Sequence, residues 1–143
     1  MEHGRIPQNV QSERELGMET RKPTIYVAGP MRGIEDFNFP AFDRQADLLR
    51  KQGWRVINPA ELDRQNGSPE SGPMEYDPTT DYEDREFMRD ALNRDLKAIA
   101  EDCTAIYCMS GFENSRGALA EYHLAKAIGI DIYYEVPLPK IKY

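Results

Sequence analysis

Positive charge is in short supply in this sequence. The chain carries 18 lysine and arginine residues against 25 aspartate and glutamate residues, a formal net charge of −7. Non-specific binding to nucleic acids and to anionic membranes depends on a basic surface, which this balance does not provide. The composition therefore argues against a nucleic acid polymer or a membrane as the partner. A small anionic ligand fits only if the positive groups around it are local.

Cysteine, histidine and long apolar runs are scarce as well. Cys103 and Cys108 lack the paired spacing of a zinc site, and two histidines supply no cluster, so we predict no metal and no cofactor. Both cysteines are predicted to be buried thiols in a reducing compartment, on opposite faces of one strand. No apolar run approaches the ~18 residues of a membrane-spanning helix, and the N-terminus lacks a signal-peptide core. A cytoplasmic location is expected.

Strand and helix patterns alternate along most of the chain. Residues 1–22 are polar and aperiodic and are predicted to form a mobile tail, which leaves 23–143 as one domain. Short β-rich runs predict strands at 24–28, 54–58, 103–109 and 130–135. Helical spacing predicts helices from an N-cap at Asn38 to a stop at Gly53, over 81–102, and from Asn114 to a stop at Gly129.

This alternation predicts a single-domain α/β fold. We expect a Rossmann-like, flavodoxin-like parallel sheet of four to five strands in the order 2-1-3-4, with helices on both faces. Ligands bind such sheets at the carboxyl ends of the strands, where the strand order reverses. The loops "GPMRG" (29–33) and "MSGFENSRG" (109–117) should meet there. The run 59–80 is rich in proline, glycine and serine and is predicted to be a lid or specificity loop.

A carboxylate interrupts the apolar stripe of the last helix. Glu121 falls on the same side as Ala118, Ala125 and Ile128, which is the side that should face the core. The ordinary interpretation is that Glu121 sits at the edge of the stripe and reaches solvent. The other interpretation is that its carboxylate serves a site.

A second carboxylate lies on the stripe of the preceding helix. Asp95 shares its projected angle with Met88 and lies near Leu92. It can be a border residue paired with Arg94 or Lys97. Alternatively, it serves the same site as the carboxylate of the next helix, since the two helices flank the same strand.

These two carboxylates, Asp95 and Glu121, could converge at the end of the third strand. Two carboxylates in a dry cleft have a recognised use, because one can attack or stabilise a sugar C1′ while the other holds the sugar or supplies a proton. Tyr26 on the first strand is either a core residue or a hydrogen-bond donor to one of them.

The two loops supply groups that can hold an anion. "GPMRG" is neither a dinucleotide fingerprint nor a P-loop, but its backbone amides and Arg32 can bind a phosphate. Ser115 and the amides of 115–117 open the facing helix, which is a second anion site. The alternative is an ordinary turn between strand and helix, with Ser115 as an N-cap.

Three stretches together resemble a known family. "TIYVAGPMRG" (24–33) resembles the opening strand and loop of the nucleoside 2-deoxyribosyltransferase superfamily, in particular of the 2′-deoxynucleoside 5′-monophosphate N-glycosidases, with their I-Y-x-x-G-x-x-R-G run. "SRGALAE" (115–121) fits the Ser-x-Gly-x-x-x-Glu of that group, and "RDLKAIAEDCTAIY" (94–107) resembles its aspartate-bearing helix. The longer stretches "GPMRGIEDFNFPAF" and "GFENSRGALAE" also resemble a phage- and prophage-associated branch of unknown function.

The resemblance implies a mechanism and a set of site residues. Glu121 would attack C1′ of a deoxyribosyl group, Tyr26 would orient Glu121, and Asp95 would bind the sugar hydroxyl or assist the leaving base. Water or a second base would then release the sugar. A homodimer or larger oligomer is also implied. The residues expected to bind the substrate and its 5′-phosphate are Gly29, Arg32, Gly33, Ser115 and Gly117.

One departure from the family leaves the substrate open. The monophosphate N-glycosidases resemble G-S-x-R-G in the first loop, and here Pro30 takes the place of the serine, so one hydroxyl ligand for phosphate is missing. The run 59–80 matches no part of the family that specifies a base. Two other functions stay compatible with the sequence, namely a non-catalytic nucleotide-binding or sensing module and a structural or interaction protein.

Overall fold

Four parallel strands form the middle layer of the molecule. The computed structural model describes residues 23–67 and 82–136. The strands are β1 (Thr24–Ala28), β2 (Arg55–Ile57), β3 (Ala105–Cys108) and β4 (Asp131–Tyr134). Their order is β2-β1-β3-β4, and each neighbouring pair is parallel. The predicted topology is confirmed; β1 has the predicted bounds, and the other three strands are one or two residues shorter at each end. The predicted tail at 1–22 lies outside the described residues.

Helices cover both faces of this sheet. They are α1 (Phe39–Lys51), α2 (Pro59–Gln65), α3 (Tyr82–Asp102) and α4 (Arg116–Ile128). Alternate residues of β1 divide the core, because successive strand side chains point to opposite faces. Ile25 and Val27 pack on the α1 face, and Tyr26 and Ala28 pack on the face of α3 and α4. Over the described ranges, no helix has both the length and the apolar character needed to cross a membrane.

The helix ends follow the predicted signals with one exception. Gly53 and Gly129 adopt left-handed φ angles of 99° and 81° just after α1 and α4, as stop signals do. Asn38 precedes α1 but does not cap it. Its φ of 61° is left-handed, and its side chain donates to the carbonyl oxygen of Pro30 at 2.9 Å. The predicted cap was wrong because a capping side chain needs extended backbone at that position.

The predicted lid begins with a helix. Residues Pro59–Gln65 form α2, capped by Asn58, whose side-chain oxygen accepts from the Ala60 amide at 2.9 Å. Proline at the first helical position follows a good N-cap here, which is a standard start signal. The loop-like composition of the whole 59–80 run obscured that signal. Residues 68–81 of the predicted lid lie outside the described residues.

Replacing Asn58 tests how firmly α2 is anchored. Asn58 is buried, and besides capping α2 it donates to Asp43 Oδ1 at 3.0 Å. Asn58→Ala is expected to lower the free energy of unfolding by about 1–3 kcal/mol, since it removes a cap and a hydrogen bond to a charged group. Urea unfolding at 25 °C measures it. Asn66→Ala, an exposed asparagine after the same helix, should cost less than about 0.5 kcal/mol; equal losses would contradict the anchoring role.

The two cysteines occupy one side of the sheet. Both are buried, and both pack in the cluster between the sheet and α3 and α4. The prediction of buried thiols is confirmed, but the prediction of opposite faces was wrong, because Cys103 lies ahead of β3 rather than on it. Burial raises the pKa of Cys108 to about 12, so its thiol stays protonated at neutral pH.

Candidate active site

A pocket lies where the loops after β1 and β3 meet α3. The two loops do come together, since the Met109 amide donates to the Ala28 carbonyl at 2.8 Å. The cavity volume is about 60 Å³, room for a few water molecules. The predicted site residues that line it are Gly29, Arg32, Asp95, Ser115, Gly117 and Glu121. Tyr26 contacts this set through Glu121, and Gly33 lies outside the pocket wall.

Tyr26 and two carboxylates form the polar end of the pocket. The Tyr26 hydroxyl donates to Glu121 Oε2 at 2.6 Å, a short bond typical of a donor to a carboxylate. Tyr26 is completely buried, and Glu121 and Asp95 are each 6% exposed. Glu121 also lies against Asp95, which raises the pKa of Glu121 both by its charge and through a hydrogen bond between the two side chains. The carboxylates that interrupt two helical stripes therefore face one cavity.

The stripes themselves turn out to be shared between core and pocket. Met88 and Leu92 of α3 line the pocket beside Asp95, whereas Ile99 is fully buried in the core. On α4 the inward side ends at Ala125, and Ile128, predicted to be on it, is 45% exposed. A carboxylate on such a stripe faces a cavity rather than close-packed side chains.

A third buried carboxylate, missed in the sequence, adjoins the pair. Asp63 of α2 lines the pocket and is 2% exposed. It forms a charge-assisted hydrogen bond with Arg94, and its Oδ2 lies 3.5 Å from Arg32 Nη2. Arg94 Nε lies in turn 3.5 Å from Asp95 Oδ1. Charges of alternating sign thus run from Arg32 through Asp63 and Arg94 to Asp95.

Aromatic rings fix the position of Arg32. Its guanidinium lies over the rings of Phe37 and Phe87, at 4.6 Å and 4.2 Å from their centroids. Phe37 reaches this position from a left-handed turn, in which Asp36, Phe37 and Asn38 have φ angles of 53°, 52° and 61°. The side chain predicted to bind phosphate is thus held by a carboxylate on one side and by phenyl rings on its faces.

The remaining predicted residues have visible local roles. Ser115 Oγ accepts from the Ala118 amide at 3.2 Å, so Ser115 is the N-cap of α4. A Cβ at Gly29 would lie 3.0 Å from Met109 Cβ, which makes glycine a packing requirement at the end of β1. Gly33 has a left-handed φ of 83°, which its turn requires. Each of these local roles accounts for its residue without a ligand.

Comparison with known proteins places the chain in a family. Residues 23–134 match the family DUF4406, described as a domain of unknown function. The chain belongs to the DUF4406 family. No curated protein and no solved structure matches it. The DUF4406 match includes the whole segment from Tyr26 to Glu121, and therefore every residue of the pocket.

The electrostatics of this DUF4406 pocket hold a proton on its carboxylates. Burial raises the pKa of Glu121 well above its ordinary value, and the charge of Asp95 raises it further, while the Tyr26 hydrogen bond acts in the opposite direction. Burial also raises the pKa of Asp95 to about 6, against the opposing charge of Arg94. Two neighbouring carboxyl groups whose pKa values are both raised share a proton near neutrality. The DUF4406 pocket then offers one carboxylate and one carboxylic acid.

The carboxylates of the DUF4406 domain are not arranged around a metal. In the part of the chain that the structure describes, no group of three or more histidine, cysteine, aspartate and glutamate side chains is placed to hold an ion. Asp63 and Asp95 instead have arginine neighbours, and Glu121 has a phenol as its donor.

Proposed function

We propose that this DUF4406 domain cleaves or transfers the N-glycosidic bond of a (deoxy)nucleoside or its 5′-monophosphate, as a member of the nucleoside 2-deoxyribosyltransferase superfamily. The observation that carries the proposal is the buried Tyr26–Glu121 hydrogen bond of 2.6 Å beside Asp95, in a pocket at the switch point of the sheet. Substitution at C1′ needs an ionised carboxylate and a proton donor in one dry cavity. Glu121 and Asp95 together supply the ionised carboxylate and the proton donor.

The reaction runs in two steps. Glu121 attacks C1′, and a bond forms between its carboxylate oxygen and C1′ while the C1′–N bond breaks and its electron pair goes to the base. The proton that Glu121 and Asp95 share passes to Asp95 as Glu121 becomes ionised, and Asp95 gives it to the leaving base. Water then attacks C1′ and releases Glu121, and Asp95 recovers a proton from that water. A second base in place of water makes the enzyme a transferase.

Tyr26 supports the ionised state of the nucleophile. Its hydroxyl occupies Glu121 Oε2, which leaves Oε1 to attack. This hydrogen bond opposes the effect of burial on the Glu121 pKa. Tyr26 is therefore a positioning residue, and its removal should change the pH profile as well as the rate.

Tyr26→Phe tests that role directly. The ring stays, so the core is preserved, but the hydroxyl is lost and the Glu121 pKa rises. We expect kcat/KM to fall about 10- to 100-fold, the size of one hydrogen bond to a charged group, and the acidic limb of the pH–rate profile to move to higher pH. Tyr107→Phe is the control, because that hydroxyl bonds Gln45 on the other face of the sheet. If the Tyr26→Phe enzyme is slower but its pH–rate profile does not move, the role of Tyr26 is purely structural.

Base release tests the proposed function. The full chain is incubated with the four common deoxynucleosides, their 5′-monophosphates and the corresponding ribonucleosides, and free base is followed by chromatography. Addition of a second free base distinguishes transfer from hydrolysis. No release, together with thermal stabilisation by one of these compounds, would favour a non-catalytic nucleotide-binding module instead. The absence of both base release and thermal stabilisation would favour a structural or interaction protein.

The resemblance also supports two properties of the proposed enzyme beyond its chemistry. We expect a homodimer or larger homo-oligomer and a cytoplasmic location. Sedimentation velocity of the full chain measures the first.

A further inference from the structure

Among the residues that the structure describes, the pocket has no cation in excess of its carboxylates. Among the described residues at the pocket, Arg32 and Arg94 face Asp63 and the pair Asp95–Glu121. With one proton shared by the pair, two positive charges balance two negative ones. A 5′-phosphate would bring further negative charge into this pocket, close to the carboxylate that must stay ionised.

Arg32 is the side chain best placed to offset a phosphate, and Asp63 already occupies it. Asp63 Oδ2 lies 3.5 Å from Arg32 Nη2, and the phenyl rings of Phe37 and Phe87 restrict the guanidinium on its faces. Turning Arg32 towards a phosphate would weaken its pair with a carboxylate that is 2% exposed. Weakening a buried ion pair is unfavourable, because the buried Asp63 carboxylate would then depend on Arg94 for its compensation.

We infer that Asp63 is a specificity-determining residue, which neutralises Arg32 and thereby makes the pocket select nucleosides with a free 5′-hydroxyl over their 5′-monophosphates. The inference rests on the proposed function, since it concerns the substrate of the same site. Asp63 also contacts Arg94, which adjoins Asp95, so its replacement changes catalysis in general. The ratio of kcat/KM for the nucleoside to kcat/KM for its monophosphate cancels that general effect.

The test compares kcat/KM for one deoxynucleoside and for its 5′-monophosphate in the full chain. The wild type should prefer the nucleoside at least about tenfold, and Asp63→Asn should reduce that preference at least about tenfold, the size of one interaction with a charged group. Adding Arg32→Gln to Asp63→Asn should restore the wild-type ratio. Glu61→Gln is the matched control, because it neutralises an arginine-paired carboxylate on the same helix, bonded to Arg50 at 2.7 Å. The ratio of kcat/KM for the two substrates should be the same in Glu61→Gln as in the wild type.

The outcomes separate the inference from the proposed function. A wild type that prefers the monophosphate overturns the inference and leaves the glycosidase proposal intact, whereas no base release from either substrate overturns both. Asp63→Ala is the second variant if Asp63→Asn does not fold, because it removes the same charge and alanine favours a helix. A preference for the nucleoside that falls at least about tenfold supports the inference, and an unchanged preference overturns it.

Discussion

Glu121→Gln is expected to abolish base release and to leave the protein folded. Glutamine keeps the size of the side chain and an oxygen that accepts from Tyr26, but it cannot form a stable bond to C1′. Removal of a nucleophile that acts together with its partners lowers kcat by at least about a thousandfold. Single-turnover assays on a deoxynucleoside measure the loss, and thermal unfolding at pH 7 measures the stability, which should be equal or higher because a buried carboxylate with a raised pKa is removed.

Glu113→Gln is the matched control for this experiment. Glu113 is an exposed glutamate in the short turn before α4, outside the pocket wall. Its replacement should leave both kcat and stability near the wild-type values. A Glu121→Gln variant that keeps its activity but unfolds more easily would show that Glu121 is a structural residue and would end the proposed mechanism.

Asp95→Asn is expected to stabilise the protein at pH 7 and to have little effect at pH 4. The ordinary pKa of aspartate is near 4, and burial raises the pKa of Asp95 to about 6. Between these values the folded state binds more protons than the unfolded state, so stability falls as pH rises through this window. Above pH 6 the free energy of unfolding is lower by about 3 kcal/mol for this reason. Asparagine does not titrate, so the free energy of unfolding of the variant should exceed that of the wild type by about 3 kcal/mol at pH 7.

Urea unfolding at pH 4, 5, 6 and 7 measures this difference. Among the described residues, Asp95 Oδ1 has no hydrogen-bond partner, so asparagine gives up little at that atom. Asp90→Asn, an exposed position on the same helix, should change stability by less than about 0.5 kcal/mol at every pH. Equal destabilisation by Asp95→Asn at pH 4 and pH 7 would mean that the carboxylate contributes packing or bonding rather than a titration penalty.

The sequence was enough to predict where the pocket lies and two of the three carboxylates that face it. Parallel strands and their order follow from alternating β-rich and helical patterns, and the switch point follows from that order. Asp95 and Glu121 could be identified because each interrupts an apolar stripe, and the apolar stripe of a helix is expected to face the core. Local spacing and the general geometry of the fold are enough for both.

The ion pairs of Asp63 could not be predicted in the same way. Asp63 belongs to a seven-residue helix hidden in a proline- and glycine-rich run, and its two arginines come from positions about 30 residues away on either side. Ion pairing between distant segments depends on their placement in three dimensions and leaves no periodic pattern. An arginine in the first loop therefore predicts a phosphate ligand, whereas in the folded protein its charge is already balanced by Asp63.

The left-handed turn at residues 36–38 limits which substitutions this chain can accept there. Each non-glycine residue in that conformation costs about 1–2 kcal/mol, and branching at Cβ makes the cost larger. Valine, isoleucine and threonine are thus excluded from three consecutive positions, while asparagine, aspartate and glycine are admitted. Phe37 adopts this conformation with its ring over the Arg32 guanidinium. In this chain the turn therefore consists of one aromatic residue between two small polar ones.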